Sequence, residues 1–412
     1  MNANAHEAVE RAARESYGKL LAFLSARSRD IAAAEDALAD AFGAALSDWP
    51  RAGIPANPDA WLLTAARRRL IDAARRRQVR QAAAPTLLTV AEEAEARFAE
   101  PAGLGDERLK LLFICAHPEI DAAVRTPLML QTVLRLDAGR IASVFCVSPA
   151  AMARRLSRAK GRIREAGIPF EVPEQRELGT RLEAVLEAIY AAYGSGWDHV
   201  AGGDLGHGGL AAEAIYLGRL VAALLPDEPE ARGLLALMLH CEARRPARRS
   251  AKAAYVPLAE QDVTLWSAPL AREGEDELAA AAKLGRIGRF QLEAAIQSVH
   301  HRRAETGATD WEAAALLYEG LVRIAPTVGA LVGRAAAVAE ARGAQTGVDL
   351  LDELPPEPVT SYQPYWAVRA HLLARLDRHQ EAAHAFDRAI GLSEDPAMRA
   401  FLIGRAEAAD AA

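Results

Sequence analysis

Cysteine is scarce: Cys115, Cys146 and Cys241 are the three in 412 residues. An odd number, scattered along the chain, excludes a disulfide framework as the source of stability. No run of about 18 uncharged apolar residues occurs, so no membrane-spanning helix and no membrane partner is expected. The first residues, MNANAHEAVERAARESYG, lack the basic-then-apolar order of a secretory signal, which predicts a cytoplasmic protein. Lysine is rare as well, at 5 of the 49 basic residues. The positive charge is therefore almost all guanidinium, and because composition bias alone can enrich arginine, its arrangement has to carry the argument. Sustained alternation of β-branched residues is also missing, which argues against a sheet.

What the chain has in quantity is apolar surface, at 51% of residues, with 25% charged. That balance excludes wholesale disorder, and the length predicts two to four domains at about 150 residues each. Apolar residues recur at three- and four-residue spacing among abundant Ala and Leu, so the expected fold class is all-α. The net charge of −6 conceals an asymmetry. Residues 1–180 carry 26 Lys and Arg against 23 Asp and Glu, whereas residues 181–412 carry 23 against 32. Nucleic-acid contact, if the chain makes any, belongs to the front half. Five zones are expected: a helical unit at 7–80, an acidic Ala/Pro/Glu-rich linker at 81–105, a second helical unit at 106–168, a helical middle domain at 178–290, and helical repeats at 291–412. The Gly-rich stretch AGGDLGHGG at 201–209 reads as a connector.

The repeats rest on a 34-residue period. Ala382, Phe386 and Ala389 fall at the small/aromatic/small positions of a tetratricopeptide-like unit, with Trp366 and Ala370 on its first helix. Earlier units supply Val332, Ala336 and Val348, then Ala314, Tyr318, Leu321 and Pro326. Small residues where helices touch are the mark of stacked helix pairs. In the middle unit Asp352 stands where an aromatic is wanted, and Leu351 is expected to substitute.

Two helices concentrate the guanidiniums. In DAGRIASVFCVSPAAMARRLSRAKGRIRE (137–165) a short helix, a tight turn and a second helix are expected, with Ser148 as cap and Pro149 as first residue. Met152, Leu156, Ala159 and Ile163 form one inward stripe, and Ala151, Arg154, Arg155, Arg158 and Arg162 lie opposite. A small-residue N-terminus followed by outward Arg forks suits a DNA major groove, the pattern of a helix-turn-helix. In NPDAWLLTAARRRLIDAARRR (57–77), Leu62, Leu63, Ala66, Leu70 and Ala73 face inward. Thr64, Arg67, Arg68 and Arg75 form an outer strip with Arg69 and Arg76 on the flank, an anion-binding helix. The loop WPRAGIPANP (49–58), held by three prolines, precedes it, and an acidic helix, AEDALADAFGAALSDW (34–49), comes before that.

Together these segments resemble a bacterial RNA polymerase sigma factor of the extracytoplasmic-function (ECF) type, in the sigma-70 family. AAAEDALADAFGAALSDW is similar to region 2.2, and the resemblance implies that Asp36 and Asp40, four apart on one face, meet basic residues of the polymerase clamp. NPDAWLLTAARRRLIDAARRR is similar to regions 2.3 and 2.4. That implies −10 element contacts by Arg51, Asn57, Thr64, Arg67, Arg68, Arg75 and Arg76, with a flipped base held at the loop Arg51–Asn57. Trp61 is expected to pack in the core. LQTVLRLDAGRIASVFCVSPAAMARRLSRAKGRIRE is similar to region 4, which implies −35 contacts by Ala151, Arg154, Arg155, Arg158 and Arg162, and docking on the polymerase flap. The acidic linker (Glu92, Glu93, Glu95, Glu100) would thread cavities of the polymerase. The rest of the chain resembles the subgroup with a long tetratricopeptide-like extension. That extension is expected to regulate activity, by contacting the sigma domains or by binding a regulatory protein.

The implied function is promoter-directed transcription initiation and melting of the −10 region by a nucleoid-associated, cytoplasmic protein. Core RNA polymerase and promoter DNA are its partners. A free-standing helix-turn-helix regulator with a tetratricopeptide-like sensor is the alternative, against which the AEDALADAF and NPDAWL helices speak. No enzyme, cofactor or metal is expected. Cys115 and His117 lack a second ligand pair, and neighbours His240–Cys241 and His300–His301 point to different helix faces. The Gly-rich loop lacks the lysine of a phosphate-binding loop.

Overall fold

The computed structural model describes residues 2–81, 107–133, 136–145, 147–198 and 208–410. It divides into two units, Met1–Ser195 and Gly196–Ala412. The described residues are helical with no strand, and Arg249 and Tyr255 form an isolated bridge. The fold is all-α. Glu92, Glu93, Glu95 and Glu100 of the expected linker lie outside the described residues, as do Cys146 and most of the 201–209 connector. Among the described residues no helix is long and apolar enough to cross a membrane.

The first unit begins with α1 (Asn2–Glu15), α2 (Tyr17–Ser28), α3 (Ile31–Ala52) and α4 (Pro58–Gln81). The Asp30 side chain accepts from the Ala33 backbone N–H at 3.0 Å and so caps α3. From there Ile31, Ala34, Ala37, Leu38, Ala41, Phe42, Ala45 and Trp49 form one buried stripe. The expected loop at 49–58 is shorter than the prolines suggested. The helix runs through Pro50 to Ala52, and Gly53, at φ +90°, returns its N–H to the Trp49 carbonyl. Proline in a last turn leaves one carbonyl, four residues back, without its helical donor, a cost that an exposed helix end lets water offset. Only 53–57 remain irregular, because Pro58 opens α4 and the Asn57 Oδ1 caps it by accepting from Ala60 N–H at 3.0 Å.

The unit continues with α5 (Arg108–Cys115), α6 (Ala122–Thr132), α7 (Ala138–Val144), α8 (Pro149–Glu165) and α9 (Gln175–Asp198). On α8 the Ser148 hydroxyl accepts from Ala151 N–H, Pro149 is the first residue, and Met152, Leu156, Ala159 and Ile163 are the buried stripe. α5 is buried almost all round: Leu109 and every residue from Leu111 to Cys115 are buried. A helix with no polar face must be covered on all sides. It packs on α2, whose Leu20, Leu21 and Leu24 are likewise buried, and α8 packs on α3. From the other side Arg181 of α9 donates to the Phe113 carbonyl at 2.7 Å. The two expected helical units, 7–80 and 106–168, thus share one core.

In the second unit, α10 (Gly208–Leu224) packs on α11 (Pro229–Ala243), and α11 is flanked by α12 (Ala268–Lys283) and α13 (Arg289–His301). α11 is buried from Gly233 to His240. Its Glu230 carboxylate accepts from the Phe290 and Gln291 backbone N–H groups at 2.9 and 3.2 Å, capping α13 from a neighbouring helix. Next come α14 (Arg303–Thr306), α15 (Trp311–Ile324), α16 (Val328–Arg342) and α17 (Ala344–Asp352). The chain ends with α18 (Pro356–Thr360), α19 (Gln363–Ala374), α20 (His379–Leu392) and α21 (Pro396–Asp410). Consecutive long helices pack on each other, α15 on α16, α16 on α17, and α19 on α20. Ala314, Val332, Val348, Ala370, Ala382, Phe386 and Ala389 are buried where these helices meet, whereas Ala336 is half-buried and Pro326 exposed. Leu351 is buried and Asp352 faces out to Arg369.

The second unit also buries histidines. The His240 ring is fully buried with neither nitrogen hydrogen-bonded, 5.9 Å from the His301 ring, which lies 5.0 Å from that of Trp266. Burial, then the nearby His301 and Arg244, pushes the His240 pKa down to about 3. Burial, then Arg244 and Arg303, pushes His300 down to about 4. The folded chain therefore binds fewer protons than the unfolded one, whose histidines titrate near 6.5. Stability should be complete above pH ~6.5 and fall as the solution is acidified toward pH 4, by about 1.4 kcal/mol per pH unit for each withheld proton. Chemical denaturation at a series of pH values measures this slope, and His240→Leu should reduce it by that histidine's share.

Candidate nucleic-acid interface

Each basic helix turns most of its described arginines outward because the opposite stripe is committed to the core. On α8, Arg154, Arg155, Arg158 and Arg162 are exposed and Ala151 is half-buried at the capped N-terminus. Arg158 Nε donates to the Arg154 carbonyl at 3.4 Å, which extends its side chain along the helix. Arg162 forms an ion pair with Glu119, from the turn before α6. Beside this row lies an open pocket of about 420 Å³, lined by Glu119, Asp121, Val124, Arg155, Arg158 and Arg162. Three forks and two carboxylates thus meet at one concavity. A phosphate entering it has Arg155 and Arg158 at hand and must compete with Glu119 for Arg162.

α4 presents Thr64, Arg68 and Arg69 to solvent over the buried Leu62, Ala66 and Leu70. Thr64 is occupied locally, its hydroxyl donating to the Ala60 carbonyl at 2.8 Å. Arg67 is half-buried, and burial followed by the charge of Arg27 lowers its pKa from the usual arginine value. Arg51, at the end of α3, and Asn57 are both exposed on either side of the 53–57 turn. Described side chains on α4 stop at Ala73, so Arg75 and Arg76 lie outside them. Trp61 packs edge-to-face on the buried Trp49 at 5.6 Å, which fixes where α4 leaves the turn.

Asp36 and Asp40 are exposed on α3 and share one face with Asp30. They line a second open pocket, of about 390 Å³, with Asp30, Arg69 and Arg164. Arg69 reaches Asp40 at 4.0 Å, with both side chains more than half exposed. The acidic face of α3 and the basic face of α4 therefore adjoin on one surface.

The sigma-70 region 2 family model matches residues 13–80, the stretch from α1 through α4. Residues 13–80 are thus a sigma-70 region 2 domain, which supports a sigma-70 family factor. Members of that family are non-enzymatic transcription initiation factors that work with RNA polymerase at promoters. A second match, to a family of unknown function (DUF6596), covers residues 181–282. The chain is similar to an uncharacterized protein of Rhizobium meliloti, 37% identical over 393 residues that cover 94% of this chain and 92% of the relative. No solved structure matches the chain.

The other residues singled out in the sequence have structural occupations. Cys115 is fully buried against Thr132 at 3.5 Å, and burial pushes its thiol up to about 12. His117 accepts from the Glu119 backbone N–H at 3.1 Å. Among the described residues no group of three or more His, Cys, Asp or Glu side chains is placed to hold a metal. Sequence reasoning missed the partners of three charges. Lys160, on the α8 stripe edge, bonds Glu35 of α3; Arg164 lies 3.6 Å from Asp30; and Arg181 is spent on Phe113. Lys160 sits four residues after Leu156 and next to Ala159, so its half-buried position was the available signal.

Asp30 serves both the α3 cap and Arg164. Asp30→Ala should destabilise the first unit by about 1 kcal/mol through removal of the cap, while Asp30→Asn keeps the cap and costs much less. Urea denaturation of the two variants, side by side, measures the difference.

Proposed function

We propose that this protein is a sigma factor of the ECF type, binding core RNA polymerase through the acidic face of α3 and reading −10 and −35 promoter elements with α4 and α8. The observation that carries the reading is the pair of outward guanidinium faces, each backed by a buried apolar stripe, in a chain whose front matches sigma-70 region 2. Asp36 and Asp40 are exposed, as docking on a basic clamp surface requires. Arg51, Asn57, Thr64, Arg67, Arg68, Arg75 and Arg76 hold the melted −10 strand. Arg154, Arg155, Arg158 and Arg162, with Ala151 allowing close approach, serve as a helix-turn-helix reader of −35 duplex, and its flank docks on the polymerase flap. In domain terms region 2 occupies 7–80 and region 4 occupies 106–168, joined by the linker 81–105. A middle domain (178–290) and tetratricopeptide-like repeats (291–412) form a regulatory extension. The repeats bind a regulatory protein through their stacked helix pairs, whose packing is supported by the buried Ala370, Ala382 and Ala389. The protein works in the cytoplasm on the nucleoid.

Reconstitution with core polymerase and a run-off template tests the reading. Promoter-specific transcripts are expected; duplex binding without polymerase-dependent transcription would favour a free-standing regulator. Asp36→Lys with Asp40→Lys should weaken holoenzyme assembly in a binding titration without lowering thermal stability. Arg154→Ala and Arg158→Ala should each reduce the salt slope of −35 binding by roughly 0.9 for every phosphate left without its guanidinium. A variant that reads a base should shift sequence preference by about 1–3 kcal/mol instead.

A further inference from the structure

Stacked helical repeats touch their neighbours in the row and little else. One segment of the second unit departs from that rule. After α11 the chain makes a 3-10 turn (Arg245–Arg248) and then runs as a strap, residues 249–260, to the last helix, α21. Arg249 pairs with Asp395, 146 residues away and immediately before α21. The Tyr255 ring meets the Phe401 ring edge-to-face at 5.3 Å, and Glu260 pairs with Arg405. The tip of the strap is shaped for these contacts. Ser250 N–H donates to the Ala254 carbonyl at 2.9 Å and Ala253 sits at φ +60°, which turns the chain back so that Arg249 and Tyr255 form a bridge. Residues opposite one another across a bridge project on one side, and here that side is the one facing α21.

The strap is anchored at its base and only lightly seated at its tip. Arg303 donates to the Ala259 and Gln261 carbonyls and lies over the Trp266 ring at 5.2 Å. No residue from 248 to 260, by contrast, is buried. The Glu260–Arg405 pair is about half exposed, and ion pairs of that kind contribute little. A clasp built for stability alone would bury apolar side chains, and this one buries none. The surface beneath it stands without its help. Phe401 packs on the repeat core around Ala382, Phe386 and Leu402. Asp395 Oδ1 accepts from Ala397 N–H at 3.0 Å, which keeps the carboxylate aimed, and Arg405 lies over the Phe401 ring at 5.2 Å. A carboxylate, a ring and a guanidinium are thus preset on one surface by their own helix.

We propose that the surface formed by Asp395, Phe401 and Arg405 is where the regulatory protein docks, and that the strap is its resident competitor. This docking surface rests on the reading that the repeats bind a regulatory protein, and its chemistry defines that partner. The partner presents a tight turn carrying a guanidinium beside an aromatic ring, with a carboxylate further along. Charge sets the orientation: the cation meets Asp395 and the anion meets Arg405, so a segment of reversed polarity is rejected. A segment tethered at both ends competes at an effective concentration of about millimolar. Only a partner that buries more than the strap does overcomes that threshold.

The test uses the full chain and, as probe, a dye-labelled peptide of residues 247–262, ARRSAKAAYVPLAEQD. The intact chain should bind it weakly in a fluorescence-polarisation titration, because the strap competes. A chain unhooked by Arg249→Ala, Tyr255→Ala and Glu260→Ala should bind it tighter by about tenfold or more. Arg405→Glu in the unhooked chain should remove that gain, and a Glu260→Lys probe should restore it, a reversal that general loosening does not produce. If the unhooked chain does not fold, Glu260→Lys alone, at an exposed position, should give a gain of the same sign. No gain in either chain, or a gain indifferent to Arg405→Glu, overturns the docking surface. A dimer that forms with rising concentration and that the probe dissolves overturns the foreign partner in favour of a second copy of this chain. Probe binding as expected, with run-off transcription absent or unchanged by the probe, refutes the regulatory reading and leaves the docking surface standing.

Discussion

The first unit depends on the segregation of apolar and guanidinium side chains around α8 and α4. Arginine cannot shed its charge on burial, so a helix carrying four of them holds its place only if another face binds the core firmly. On α8 that grip is Met152, Leu156, Ala159 and Ile163, each nearly inaccessible to solvent. On α4 it is Leu62, Ala66 and Leu70. Because these stripes fix each helix about its own axis, the forks project in set directions without needing partners of their own. Surface ion pairs add little to that rigidity, so Glu119 can hold Arg162 and still yield it to phosphate.

The all-α class, the apolar stripes of both basic helices, and the Ser148–Pro149 start of α8 were legible in the sequence because they are local. Each follows from a spacing of three or four residues, or from a cap within one turn. The α3–α4 turn was legible only in outline. Proline counts suggested a ten-residue loop, but Pro50 falls within the final turn of α3, and Pro58 at the first position of α4, where helices accept it. What the sequence hid was pairing across long separation. Glu35 with Lys160 and Phe113 with Arg181 are pairings between segments that no periodicity links. A surface-charge reading assigns such residues to solvent by default.

The second unit follows the same economy of small side chains. Ala and Gly where helices meet let backbones approach, so stability comes from many shallow contacts rather than a few large aromatics. The 34-residue period anticipated the burial of Ala314, Ala370, Ala382 and Ala389, though not the half-exposed Ala336, and the exchange of Leu351 for Asp352 as the inward residue. It did not anticipate the His240–His301–Trp266 cluster, which lies where α11, α12 and α13 meet. There the two imidazoles are held neutral by burial and by the neighbouring Arg244.

The hydrogen bond from Arg181 to the Phe113 carbonyl bears on how such proteins are assembled from parts. The DUF6596 match starts at residue 181, yet that first side chain is already spent inside the amino-terminal body. α9 runs unbroken from Gln175 to Asp198, so the border seen by sequence comparison falls within a continuous rod. A chimera joined at residue 180 would strip α5 of a donor it cannot replace from water. Grafts of this extension onto other initiation factors would need to carry α9 whole, along with the surface that receives it.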